Sequence, residues 1–300
     1  MNVNPRLASV ILIIVCTLME APLAVAQYPD SNSYRLTDDP TGGYHAKWSP
    51  DGKTIAFTSR RSGGEKMWLV SAAGGEARLI ETAFPGDYFL GWSPDSKEII
   101  FDMREEDGRP NIRIITLSSG KIRRVLPDNG PNFHPAWSPD SSRIAFASLR
   151  SGNPDIWVFS LADSQLRRVT SDPATDHHPQ WSPDGQSIVF VSHRAGNADI
   201  WIASLADSSV RPLIRHPGKD DYPIFSPDGR MVAFASDRSG EGKIWIAPVD
   251  GGDPVQLTRN GRCSYPCWSP DGSRIAYSAT IDGNSDIWVM KIPPDVMRVE

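Results

Sequence analysis

Short runs of β-branched and aromatic residues, separated by clusters of Gly, Pro, Asp and Ser, recur along nearly the whole chain, and no run has the length or period of a helix. One stretch shows the pattern most plainly. His178-Pro-Gln-Trp181 leads into Ser-Pro-Asp-Gly; Ser187–Ser192, Asp199–Ser204 and Val210–Ile214 then read as three further strands. Proline presets φ at the second turn position, and aspartate suits the third. Glycine at the fourth takes the positive φ of a closing bulge.

The pattern repeats six times. Trp48, Trp92, Trp137, Trp181, Phe225 and Trp268 each precede Ser-Pro-Asp, at spacings of 44, 45, 44, 44 and 43 residues. A second apolar–aromatic slot follows each: Met67-Trp68, Ile112-Arg113, Ile156-Trp157, Ile200-Trp201, Ile244-Trp245 and Ile287-Trp288. All ten tryptophans fall in these two slots. A lone four-stranded sheet cannot bury both faces, but six arranged radially bury each other, so the repeat predicts an all-β, six-bladed β-propeller of antiparallel blades. The indoles fill the wedges between blades. Arg35-Leu36-Thr37 has the look of an outermost strand and stands ahead of the first repeat, so the N-terminal strand is expected to complete the last blade. Val296–Glu300 resembles the outer strand at 77–81 and competes for that place.

Residues 1–26 read as a signal peptide. Arg6 is followed by an apolar run, Leu7 to Met19, that is too short to span a bilayer, and Ala24-Val25-Ala26 offers a small-x-small cleavage site before Gln27. Ile13-Ile14-Val15 is too bulky for a lipoprotein signal at Cys16. The expectation is a single propeller domain, 27–300, periplasmic or secreted, monomeric, with no transmembrane segment in the mature chain. In that oxidising setting Cys263 and Cys267 are the remaining cysteines. Positions i and i+4 of a straight strand lie about 13 Å apart, so a disulfide needs a turn at 264–266; two thiols or a metal pair are the alternatives.

The net charge of −5, from 31 basic and 36 acidic residues, argues against nucleic acid or another polyanion as partner. Neither a Gly-x-Ser-x-Gly elbow nor a nucleotide-binding glycine loop is present.

The six Trp/Phe-Ser-Pro-Asp motifs, the Asp-Ile-Trp strands and the Arg-Leu-Thr segments resemble TolB-like propellers, the PD40 or WD40-like group, over residues 35–300. The resemblance implies an exported module that binds periplasmic or envelope proteins or peptides without catalysis. It implies a stand-alone propeller, since only Gln27 to Ser33 separate the cleavage site from the first strand, where TolB carries an α/β domain.

Propellers bind at the channel face, so the residues just before each Trp/Phe motif are the candidate site. Three positions back stand His45, Phe89, His134, His178, Tyr222 and Tyr265; four back stand Tyr44, Tyr88, Phe133, His177, Asp221 and Ser264. This aromatic–imidazole ring suits a protein partner or a stacked sugar. No cofactor is required. The alternative is a divalent metal on His45, His134 and His178, with Gln180 a fourth ligand and Tyr222 or Tyr265 on substrate. Resemblance to oligogalacturonate lyases, with related repeats, would then imply a metal-assisted lyase or hydrolase on acidic oligosaccharides; a carbohydrate-binding propeller without turnover is the third reading. Asp87, Asp176, Asp220 and Asp221 are expected to cap turns, and Arg61, Arg104, Arg150, Arg194 and Arg238 to tie hairpin loops.

Overall fold

The computed structural model describes residues 32–82, 89–126, 130–293 and 296. The leader at 1–26, Asp87, Tyr88 and 297–300 lie outside the described residues. Six four-stranded sheets, each antiparallel throughout, make up the described chain. In blade four, strands Ser187–Ser192, Asp199–Ser204 and Val210–Ile214 coincide with the sequence expectation, and the innermost strand starts two residues early, at Asp176–Trp181.

The Ser-Pro-Asp turn closes the first hairpin of every blade through one hydrogen-bond set. In blade one Gly52 N donates to Ser49 O (2.9 Å), Ser49 Oγ to Asp51 Oδ1 (2.6 Å) and Lys53 N to the same oxygen (3.0 Å). Gly52, Gly185, Gly229 and Gly272 hold φ of 67–74°, and Ser96 and Ser141 are forced into the same region at 60° and 61°.

Each innermost-strand aromatic packs against the preceding blade. Trp48 lies among Ala276, Ile287 and Val289 of blade six; Trp181 lies among Ala136, Ala145 and Ile156 of blade three. On the second strands Phe57, Phe101, Phe146, Phe190 and Phe234 are fully buried. Four of these pair across the sheet with the second-slot indoles Trp68, Trp157, Trp201 and Trp245.

The recurrent arginines do more than tie loops. Arg61, Arg150, Arg194 and Arg238 place their guanidinium carbons 4.6–5.6 Å from both rings of those Phe–Trp pairs. Three also meet buried carboxylates, Asp39 at 2.7 Å, Asp176 at 2.9 Å and Asp220 at 2.8 Å. Arg104 departs from the set: repeat two has Arg113 instead of an indole, which pairs with Glu105 at 2.7 Å, and Arg104 stays exposed on Gly108 O.

The N-terminal strand closes the ring. Ser33–Arg35 pairs with Asn284–Lys291, and Asp286, with its side chain buried, accepts from Arg35, from Thr37 Oγ1 (2.9 Å) and from Asp39 N (3.1 Å). Thr37 Oγ1 in turn accepts from Ile287 N at 3.0 Å. Blade three makes the same joint within itself, with Asp155, Arg168 and Thr170, so Arg-Leu-Thr 35–37 stands in chemically as well as sterically for an outermost strand. Val296 lies in a turn and packs on the blade five–six cluster.

Cys263 and Cys267 are both buried and are not joined by a disulfide. They serve opposite faces of the same sheet: Cys263 packs toward blade five, and Cys267 toward blade one, where its sulfur accepts from Trp48 N at 3.2 Å.

Candidate functional site

The innermost strands are not regular. In blades one, three, four, five and six the register slips by a bulge, between residues 44 and 47, 133 and 136, 177 and 180, 221 and 224, and 264 and 267. Within each bulge sits a residue at positive φ: His45 (56°), His134 (54°), His178 (51°), Tyr222 (55°) and Tyr265 (54°). Histidine visits this region more readily than most residues, but for tyrosine it is an outlier costing about 1–3 kcal/mol, the kind of strain that clusters where a side chain must be aimed.

The five, with Phe89 from blade two, are aimed at one another. Ring centroids lie 4.5 Å apart for His45–Phe89, 4.1 Å for Phe89–His134 and 3.9 Å for His134–His178. The circuit continues at 4.7 Å to Tyr222, 4.0 Å to Tyr265 and 4.1 Å back to His45. One ring from each blade thus forms a plate across the axis. Beyond it along the strands is a chamber of about 30 Å3, lined also by Lys47, Leu90, Pro135, Gln180 and Pro223, with room for little more than a water molecule. On the other side, hollows of about 320 and 300 Å3 flank the plate; Tyr44, Arg60 and Glu65 line one, Asp102, Arg104 and Phe133 the other.

Of the sequence candidates, the structure therefore brings His45, Phe89, His134, His178, Tyr222 and Tyr265 together, places Tyr44 in a flanking hollow and adds His177 at the side. Tyr88 lies outside the described residues. The histidines divide. His45 faces Thr58 Oγ1 (3.3 Å) and stands 3.9 Å from Glu65. His134, His177 and His178 instead converge, with one nitrogen from each within 4.8 Å of the others. His177 Nδ1 is 2.9 Å from His178 Nδ1, His177 Nε2 is 3.4 Å from His193 Nε2, and His178 Nδ1 is 2.7 Å from Asp221 Oδ1.

Burial, reinforced by the neighbouring imidazoles of His178, His177 and His45, holds His134 well below the usual histidine range. Burial and then His178 bring His177 down to about 3. Burial pushes Asp221 up, but His178 and the hydrogen bonds more than offset it, leaving the carboxyl below its ordinary value. Burial and then Asp221 raise Tyr222. At neutral pH His134 and His177 are therefore uncharged imidazoles close to the Asp221 carboxylate.

Sequence reasoning missed three contributors. Asp102, buried on the second strand of blade two, accepts from Phe89 N and His134 N, both at 2.8 Å, and so holds two plate residues from adjacent blades. Lys47 lines the chamber, where burial lowers its ammonium below the ordinary lysine range. Both were detectable by aligning the repeats: Lys47 occupies a slot held elsewhere by Gly91, Ala136, Gln180, Ile224 and Cys267, and Asp102 one held by Thr58, Ala147, Val191, Ala235 and Ser278. His193, in a hairpin loop that copies its neighbours at 149 and 237, carried no such signal.

Residues 90–214 match the family model described as TolB beta propeller domain. A protein described as TolB from Agrobacterium tumefaciens superposes with a TM-score of 0.72 at 23% identity, over 87% of this chain and 97% of that one. TolB from Acinetobacter baumannii gives 0.64 at 23% identity over 86% of this chain, which spans 65% of that protein. Oligogalacturonate lyase from Vibrio parahaemolyticus gives 0.61 at 14% identity, over 88% and 94%. No curated protein matches the sequence. At these identities the likeness is one of fold. Among the described residues, no helix is long and apolar enough to cross a membrane.

Proposed function

Taking the chain as a TolB-like six-bladed propeller, we propose that it is an exported, non-catalytic interaction module that grips periplasmic or envelope proteins or peptides at the channel mouth. The observation that carries this reading is the closed plate of six rings. It leaves a chamber of about 30 Å3 behind it, too small for a substrate, and presents two open hollows in front. Rigid rings lose little entropy on contact and make effective anchors, and hollows beside them accept the partner's own side chains. The leader-like first 26 residues support export.

The test pairs two variants of the mature chain against envelope extract. Tyr44→Ala with Phe133→Ala, which removes one aromatic ring from the wall of each hollow, should weaken retention of the captured partner at least about tenfold, whereas Arg78→Glu on an outermost strand should leave it intact. Equal retention by both variants would place the contact away from the mouth. A second reading, metal-assisted cleavage of an acidic oligosaccharide, draws support from the convergent histidines; unsaturated products released from polygalacturonate would establish it in place of the first.

A further inference from the structure

The geometry points to a transition-metal site at the side of the plate, in which His134, His177 and His178 hold one zinc-like divalent ion and Asp221 positions His178 through its Nδ1. Three imidazoles with one nitrogen each inside a 4.8 Å span need only small shifts to reach the roughly 2.0–2.1 Å distances that zinc requires. Tetrahedral zinc has room for a fourth, exchangeable ligand.

Two further observations favour an ion over a purely hydrogen-bonded cluster. With Asp221 accepting from His178 Nδ1, His178 keeps its lone pair on Nε2, and that atom is buried with no hydrogen-bond partner. His134 Nδ1 is buried and equally unpartnered. Two orphaned imidazole nitrogens in one cluster, each costing about 1–3 kcal/mol, are hard to reconcile with a resting structural role. A carboxylate on the far nitrogen of a ligating histidine is the arrangement that fixes ring orientation and raises ligand basicity. Borderline imidazole donors select zinc, copper, nickel or cobalt over magnesium or calcium. His45, fixed on Thr58 and beside Glu65, is not part of the site.

The site stands independently of the partner-binding reading, because metal uptake is measured on the isolated chain. Calorimetric titration of the untagged mature protein with zinc should give one ion per chain. Cobalt should give the intense visible absorption of a four- or five-coordinate ion rather than the weak spectrum of the hexa-aquo ion. His134→Gln and His177→Gln should each weaken zinc at least about tenfold, Asp221→Asn about tenfold through loss of positioning, and His216→Gln, which is not one of the converging histidines, should bind as wild type does. Thermal melts establish that each variant is folded; His177, half-buried at the side of the plate, is the position where substitution disturbs packing least. Absence of stoichiometric zinc in the wild type, a cobalt spectrum that stays that of the aquo ion, or affinity retained in a folded His134→Gln/His177→Gln double variant overturns the assignment.

Discussion

The two ends of the innermost strand, with the plate ring and the wedge aromatic three residues apart, obey different rules. At one end the aromatic and the Ser-Pro-Asp turn recur six times with the same hydrogen bonds, the serine–aspartate contact ranging only from 2.5 to 2.7 Å. At the other end the aligned position reads His, Phe, His, His, Tyr, Tyr, and five of the six are held at positive φ. A position that only needs to fill a wedge settles on one solution. A position whose side chains meet those of five other blades at an axis cannot, because six copies of one ring would have to satisfy the same neighbours. The variable end is also where the fold spends strain, so the two ends should respond differently to the same kind of insult.

The largest contrast is in truncation. Trp181 is buried at 7% exposure, donates Nε1 to Ala136 O at 3.1 Å and lies under Arg143 at 4.6 Å. Trp181→Ala should cost about 3–5 kcal/mol in urea unfolding. Tyr222→Gly also deletes a large ring, but it releases a non-glycine residue from φ of 55°, returning about 1–2 kcal/mol. Its net cost should be less than half that of Trp181→Ala. Equal costs would erase the distinction between a packing end and an aimed end.

A smaller contrast lies in pH. Asp140 and Asp271 are brought down to about 2 chiefly by the Ser138 and Ser269 hydroxyls, then by backbone N–H groups. Their folded pKa lies below the unfolded value near 3.8, so the stability they confer is whole above that value and is lost as pH falls toward 2. His177, at about 3 when folded against 6.5 unfolded, acts in a higher window. Below pH 6.5 the unfolded chain takes up the proton that the folded chain refuses, so stability falls from there toward pH 3. In the metal-free protein, His134→Gln/His177→Gln should flatten the upper window only, and Asp140→Asn/Asp271→Asn the lower one only. Urea midpoints across pH 2–7 check both, and a single merged transition unaffected by either pair would contradict the assignment.

The division also explains what the sequence could disclose. The repeat makes strand bounds, blade count and closure readable, because period-2 alternation and turn chemistry are local. The plate could be located, since it falls at a fixed offset from Trp/Phe. The set of histidines that converge beside it could not. In a regular strand consecutive residues point to opposite faces, so His177 and His178 should diverge. The bulge cancels that alternation and lets their Nδ1 atoms meet at 2.9 Å, replacing the expected His45–His134–His178 grouping with His134–His177–His178. The residue types announce the bulge only faintly, since histidine tolerates a positive φ better than most residues but tyrosine at the same aligned position does not. The disulfide question turned on the same point: a bulge does lie between Cys263 and Cys267, but it leaves them on opposite faces.

The smallest effect tests whether the uniform end is as relaxed as its repetition suggests. Four turns place glycine at the fourth position, but blades two and three place Ser96 and Ser141 there, at φ of 60° and 61°. The Ser96 hydroxyl accepts from Asp51 N at 3.1 Å, which offsets part of its strain. Ser141 is exposed, and its strained backbone donates to Ser138 O in the same way as the glycines do. Ser141→Gly should therefore stabilise the protein by about 0.5–1 kcal/mol, the left-handed penalty minus the extra chain entropy of glycine. The reciprocal Gly185→Ser, where an added Cβ meets only ordinary contacts with Arg143 and Pro139 at 3.5 and 3.7 Å, should cost the same amount. Opposite signs of similar size would show that the turn end is governed by backbone conformation alone. A destabilising Ser141→Gly would mean that this serine, like Ser96, has been recruited to hold neighbouring blades together.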